Sequence, residues 1–263
     1  MMLAAVDWHL VWQRLFHPNG VFAKALWTTV YIAIAAQLIG VVLGLVAALM
    51  RSSKIAPLRW LSGFYVLVFR GTPVLVQLYF IYFGVNILFG VTVIPTTLHL
   101  GLFDLDGAVL AGIIALGVNE GAYMREIIRA GIDSIDKGQM EAAKSLGMRY
   151  GLAMRRIVLP QAARVIVPPL GNEFNNMLKT TSLVFTIGVY EMFADAEIGY
   201  SNSFQAVEYF GAVAVWYLLL TGIWSVIQAS IERRLSASDR MDELSFRERL
   251  VAAWAPAGAF VRR

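Results

Sequence analysis

The sequence predicts an all-α integral membrane protein with five transmembrane helices, and three observations carry that prediction. Of its 263 residues, 58% are hydrophobic and only 15% charged, against about 25% charged in a typical soluble chain. The apolar residues gather in runs such as Ala25–Met50, which carries no charge and exceeds the twenty or so residues needed to cross roughly 30 Å of hydrocarbon. Lys and Arg collect on alternate connections between these runs, as in a chain threaded repeatedly through a bilayer. Lipid is therefore the expected solvent for most of the chain.

Taken in order, residues 1–21 hold Trp8, Trp12 and Phe16 among Asp7, Gln13 and Arg14. This spacing predicts a short interfacial leader helix, stopped by His17-Pro18-Asn19-Gly20. The first twenty residues lack a basic start followed by a continuous apolar core, so no cleavable signal peptide is expected. Spans are predicted at about 23–50, 60–89, 107–128, 161–188 and 209–231. The second contains Arg70-Gly71-Thr72-Pro73; Pro73 lacks an amide donor and clashes with the turn before it, so a kink or break is expected there. In the fourth, Pro168-Pro169-Leu170-Gly171 predicts a broken helix beside Asn172-Glu173. Residues 190–208 read as a polar loop. The tail 236–263 carries mixed charge, and Leu244, Phe246, Leu250, Val251 and Trp254 could form an amphipathic surface helix, with a solvated extension as the alternative.

Charge fixes the orientation. Loop 51–59 carries three basic residues, 125–164 carries eight and 233–263 carries seven, whereas 90–106 and 190–208 carry none. The positive-inside rule then puts the N-terminus outside, the C-terminus in the cytoplasm and 129–160 on the cytoplasmic face. The net charge of +4 marks topology and does not call for nucleic acid. Five spans suit a two-chain assembly with a pathway at the dimer axis better than paired inverted repeats within one chain.

Arg70, Asn119, Glu120, Asn172, Glu173 and Lys179 fall inside predicted spans, where each charge costs roughly 2.5–3.5 kcal/mol and normally faces a cavity or a partner. Arg70, Glu120 and Glu173 reach a common depth of roughly 12–18 Å. Charges of both signs suit a zwitterion. In this reading Glu173 and Glu120 receive cationic groups, while Arg70, Thr180, Thr181 or Ser182 receive carboxylate oxygens, so the candidate substrate-binding set is Arg70, Asn119, Glu120, Asn172, Glu173, Thr180, Thr181 and Ser182. In a second reading, Arg70 pairs with Glu120 or Glu173 to lock the bundle.

Catalytic chemistry finds little support. The chain has no cysteine, and His9, His17 and His99 are too scattered to hold a metal. No His-Glu-x-x-His, Gly-x-Ser-x-Gly or Gly-x-x-x-x-Gly-Lys-Ser/Thr sequence occurs, so neither catalytic residues nor ATP hydrolysis by this chain is expected.

The longest polar interruption, Asp136–Pro160, is ordered. Asp136 can cap a helix, Glu141, Ala142 and Ala143 continue it, and Gly147 stands where a left-handed stop would fall. Two short helices lying across the membrane surface are expected. The spacing Glu141-Ala142-Ala143, three residues, Gly147, nine residues, Ile157-x-Leu159-Pro160 resembles the EAA loop of permease subunits of bacterial ATP-binding-cassette (ABC) importers. Phe69-Arg70-Gly71-Thr72-Pro73, Lys137-Gly138-Gln139, Leu159-Pro160-Gln161-Ala162, Pro168–Phe174 and Lys179-x-Thr181-Ser182-Leu183 are similar to the polar amino acid branch, of the histidine/glutamine/arginine type. The likeness covers about 22–235.

This resemblance implies a type I ABC importer permease fold in a bacterial cytoplasmic (inner) membrane. It implies a second permease, identical or paralogous, two cytoplasmic ATP-binding subunits carrying ATP and Mg, and an extracytoplasmic amino-acid-binding protein. No cofactor is expected on this chain. Glu141, Ala142, Ala143, Gly147, Leu159 and Pro160 would couple to the ATPase. Thr180 stands where the family often has an acidic residue after the lysine, which leaves an acidic, neutral or basic cargo open. The alternative is a self-sufficient ion-coupled amino acid transporter or channel, with the buried carboxylates as ion sites.

Overall fold

Two long helices form the spine of the computed structural model, which describes residues 6–99 and 104–243, with side chains as far as 235. Helix α1 (Trp8–Phe16) leads to α2 (Gly20–Ser52), capped by the Asn19 side chain, which accepts from Phe22 N at 2.8 Å. At 33 residues α2 is about 50 Å long and outreaches the hydrocarbon layer. Helix α6 (Gly107–Asp133) packs along α2 more extensively than any other pair, after Asp106 caps its first turn. Both carry a small-residue spacing, Gly40 with Gly44 and Gly117 with Gly121, that lets backbones approach closely in lipid. A Cβ on Gly40 would stand 2.5 Å from Glu120 Cγ, and one on Gly44 would collide with Met124.

Around this pair the chain wraps in order. Helix α3 (Ala56–Gly71) turns sharply at Thr72-Pro73 into α4 (Val74–Tyr79), a π turn at Phe80–Gly84 and α5 (Val85–Phe89). The bend is 106°, more than a kink. Thr72 is extended, as the residue before a proline prefers. Residues 90–106 include an antiparallel hairpin, β1 (Thr97–His99) with β2 (Asp104–Asp106). After α6 come α7 (Lys137–Ser145), α8 (Tyr150–Ala153), a π turn at Met154–Val158 and α9 (Leu159–Thr180), which tightens into a 3-10 turn at Thr181–Ile187. Helix α10 (Met192–Ser203) and α11 (Ala206–Glu243) complete the fold. Ile32, Ala36, Leu78, Leu116, Met177 and Val184 centre the main apolar core.

Among the described residues, helices α2, α6 and α11 are each long and apolar enough to cross a membrane, and α3 with Val74–Phe89 passes the same test as a bent pair, either one broken span or a re-entrant loop. The predicted fourth span is α9. It has the length but falls short in apolarity, because Asn172, Glu173, Asn175, Asn176 and Lys179 occupy its second half.

Three expectations need correction. Helix α9 runs unbroken through Pro168 and Pro169. There α11 supplies donors to the backbone, Gln228 Nε2 to Pro168 O at 3.2 Å and Trp224 Nε1 to Gly171 O at 2.7 Å. Only α7 is a separate short helix before Pro160; the second continues through the π turn into α9, a wider turn that accommodates the Pro160 ring. Residues 190–208 hold a helix, because Glu191, Asp195 and Glu208 find partners. Glu191, fully buried, caps α10 by accepting from Phe193 N and Ala194 N and also accepts from Tyr217. Helix α11 continues to Glu243. The amphipathic segment predicted from Leu244 onward lies outside the described residues.

The leader helix is fastened to the protein as well as carrying exposed Trp8, Trp12 and Phe16. Arg14 pairs with Asp195 at 2.5 Å and lies over the Tyr209 ring, and Tyr190 OH donates to the same carboxylate.

Gly44→Leu is expected to force α2 off α6 and lower the thermal unfolding midpoint in detergent, since overpacking costs about 1–3 kcal/mol or more. Gly222→Leu, with no atom within 4 Å of its added Cβ, should leave the midpoint unchanged.

Candidate functional site

The α3–α4 turn, α6 and α9 enclose a cavity of about 580 Å³. Two helices contribute matching stripes. Helix α6 presents Leu116, Asn119, Glu120 and Tyr123, and α9 presents Glu173, Asn176, Met177 and Thr180. Each set follows the i, i+3, i+4, i+7 spacing of one helical face. Arg70, Thr72 and Pro73 close the third side from the turn.

The turn is held by side-chain amides. Gln77 Nε2 donates to Phe69 O at 2.9 Å and to Thr72 O at 3.0 Å. Asn119 Nδ2 donates to Phe69 O at 2.8 Å and to Gln77 Oε1 at 3.0 Å. These bonds occupy carbonyls that a proline-broken helix leaves without intrahelical donors. The backbone of Arg70 is thereby pinned between Phe69 and Thr72. Its guanidinium lies over the Tyr123 ring, 5.0 Å from the centroid.

Of the predicted binding residues, Arg70, Asn119, Glu120, Glu173 and Thr180 line one cavity; Asn172, Thr181 and Ser182 do not. Asn172 faces α11, where its Oδ1 accepts from Gln228 Nε2 at 3.1 Å. Thr181 is buried and donates to Leu178 O, while Ser182 donates to Lys179 O. Helical phase explains the difference, since Asn172 is one position off the Glu173 stripe and the 3-10 turn rotates the residues after Thr180. Asn176, Tyr123 and Gln77 were missed. The first two were findable as partners of Glu173 and Glu120 at helical spacing; Gln77 had no such signal.

Arg70 has no carboxylate within ion-pair distance among the described residues, so the predicted pairing with Glu120 or Glu173 does not form. Glu120 is buried and accepts instead from Gln37 Nε2 of α2 at 3.1 Å. The cavity therefore presents a cation and two carboxyl groups that are not spent on one another.

The second predicted set lies at the other end of α9. Asp136 caps α7 by accepting from Gly138 N. The helix ends with Met148 N donating to Ala143 O and Gly147 N to Lys144 O, the paired bonds of a Schellman stop, with Gly147 at φ +80°. Ala143 is buried where α7 rests on the Tyr150–Val158 turns. Glu141, Ala142, Gly147, Leu159 and Pro160 face outward, beside Leu146, which is 83% exposed.

Gln77→Leu removes donors from Phe69 O and Thr72 O. It should speed amide hydrogen exchange across 69–77 while leaving exchange in α2 and α6 unchanged, because each lost buried hydrogen bond costs roughly 1–3 kcal/mol.

The chain matches the family described as binding-protein-dependent transport system inner membrane component over residues 40–237. It is 41% identical over 225 residues to a probable amino-acid permease protein, YxeN, of Bacillus subtilis, covering 86% of this chain and 96% of that one. It is 40% identical over 237 residues to the arginine transport system permease protein ArgU of Corynebacterium glutamicum, covering 87% and 72%. Among solved structures, one described as an amino acid ABC transporter with histidines superposes with a TM-score of 0.71 at 40% identity, covering 81% of this chain and 94% of that one. The chain therefore belongs to the inner membrane components of binding-protein-dependent transport systems, a membrane-spanning ABC importer permease subunit with the type I fold.

Proposed function

We propose that the chain forms part of the pathway for a polar amino acid, which it passes across the cytoplasmic membrane as ATP is hydrolysed on partner subunits. The observation that carries this reading is the cavity, with Arg70 on one side, outside ion-pair distance of any carboxylate among the described residues, and Glu120 and Glu173 on others. Arg70 receives the carboxylate of a zwitterion, joined by the Thr180 hydroxyl once it turns from Asn176 O, to which it donates at 2.9 Å, and Glu173, with Glu120 behind it, receives the ammonium. Asn119 and Asn176 orient it. Asn172, Thr181 and Ser182 have no part in this arrangement.

In the working assembly the chain pairs with a second permease, identical or paralogous. An extracytoplasmic binding protein delivers the amino acid, and two ATP-binding subunits hold ATP and Mg on the cytoplasmic side. The charge map supports an outside N-terminus and a cytoplasmic C-terminus. Residues 1–21 then form an interfacial element and 236–263 a cytoplasmic tail. The ordered, outward-facing α7 with exposed Leu146 favours docking to an ATPase over a self-sufficient ion-coupled transporter, which has no use for such a surface.

Uptake into proteoliposomes holding the assembled transporter and its binding protein tests the cavity. Glu173→Gln should cut amino acid uptake about tenfold or more, the scale of a lost charge-assisted hydrogen bond, with the ATPase still co-purifying. Unchanged uptake would remove Glu173 from the site. Gly147→Val tests the coupling surface. A β-branched residue is strained at φ +80°, so the ATPase should dissociate during purification; retained association with full substrate-stimulated hydrolysis would sink the docking assignment.

A further inference from the structure

Beside the end of α2 and the start of α3 lies a groove of about 500 Å³, lined by Arg51, Arg59, Trp60, Gly63, Phe64 and Leu67. Its two ends differ in chemistry. Arg51 and Arg59 stand at the mouth with Lys54 on the connecting loop, and none of the three has a carboxylate within ion-pair distance among the described residues. Arg59 Nη1 donates to Ser53 O at 3.2 Å and Lys54 O at 2.9 Å, which holds its guanidinium against the loop. The floor is apolar. Trp60, Phe64 and Leu67 repeat at i, i+4, i+7 on α3 and are 78%, 63% and 70% exposed. From Trp60 to Leu67 the stripe runs about 10 Å along the helix, away from the cations and into the span. Gly63 leaves the space between them open, with no atom within 4 Å of where its Cβ would lie.

We propose that this groove binds an anionic phospholipid, with its phosphate on Arg51, Arg59 and Lys54 and an acyl chain along Trp60, Phe64 and Leu67. Charge complementarity selects this occupant. Three cations with no carboxylate within ion-pair distance among the described residues sit where a membrane-spanning helix leaves the hydrocarbon, at the level of lipid phosphates, and each is worth about fivefold in affinity for an anionic surface. The indole of Trp60 stands at the boundary that tryptophan favours. A second copy of this chain would have to bring carboxylates to the patch. A two-fold contact through these residues would instead set cation against cation.

The test uses the assembled transporter in nanodiscs with brominated lipids, which quench indole emission on contact. The Trp60 signal is the difference between the wild-type protein and Trp60→Phe. It should be quenched at a mole fraction of brominated phosphatidylglycerol at least about fivefold lower than of brominated phosphatidylcholine. Arg51→Gln with Lys54→Gln should erase that difference, and Gly63→Leu should block quenching by filling the groove. Equal quenching by the two lipids would mean ordinary bulk lipid and overturn the proposal. Absence of quenching by either would mean that protein covers this face, and would overturn it equally.

Discussion

Everything in this structure depends on how closely α2 and α6 approach. In lipid, apolar side chains gain little by leaving their solvent, so helices associate through tight packing and internal hydrogen bonds. Gly40, Gly44, Gly117 and Gly121 supply the first, allowing Glu120 and Met124 to lie against the α2 backbone. The same proximity supplies the second, since Gln37 reaches Glu120 only because the backbones meet. A carboxyl group at this depth is tolerable because α2 offers it an amide on one side and the cavity opens on the other. The packing spine and the candidate site thus share a residue.

The remainder of the bundle is built around breaks that other elements repair. The α3–α4 turn is bridged by Gln77 and Asn119, and the prolines of α9 are braced by Trp224 and Gln228. Two acidic groups of the α10 region are met by distant partners, Asp195 by Arg14 and Glu191 by Tyr217. In each case one element carries a backbone or charge problem and another carries its solution. Such a fold tolerates prolines and carboxylates inside a membrane protein only as a complete set.

That division explains what could be read in the sequence. Helices α2 and α11 were legible because an uninterrupted apolar run has one meaning in a bilayer, and α6 because only Asn119 and Glu120 interrupt its run before Arg125. The Asp136 cap and the Gly147 stop were legible because they act within a few residues. Helix α10 was not, because Glu191, Asp195 and Glu208 read as solvated until their partners are in place. The continuity of α9 through Pro168-Pro169 was hidden for the same reason, its bracing donors lying on α11. The paired glycines of α2 and α6 were in plain view at a spacing of four but were not used. Within the site, the residue types were legible and the helical phase was not, so Asn172 was chosen where Asn176 faces the cavity.

The unbroken course from Tyr150 to Thr180 has a mechanical consequence. It joins the turns under α7 to Glu173 and Thr180 as one continuous helical course, over about 46 Å at helical rise. Moving as one body, a helix of that length would act as a lever: a tilt of about 5° pivoted at one end would displace the other by about 4 Å. Motions too small to disturb the seat of α7 become, at the far end, comparable to the size of a carboxylate. An intact helix thus transmits a gain that a flexible connection would dissipate.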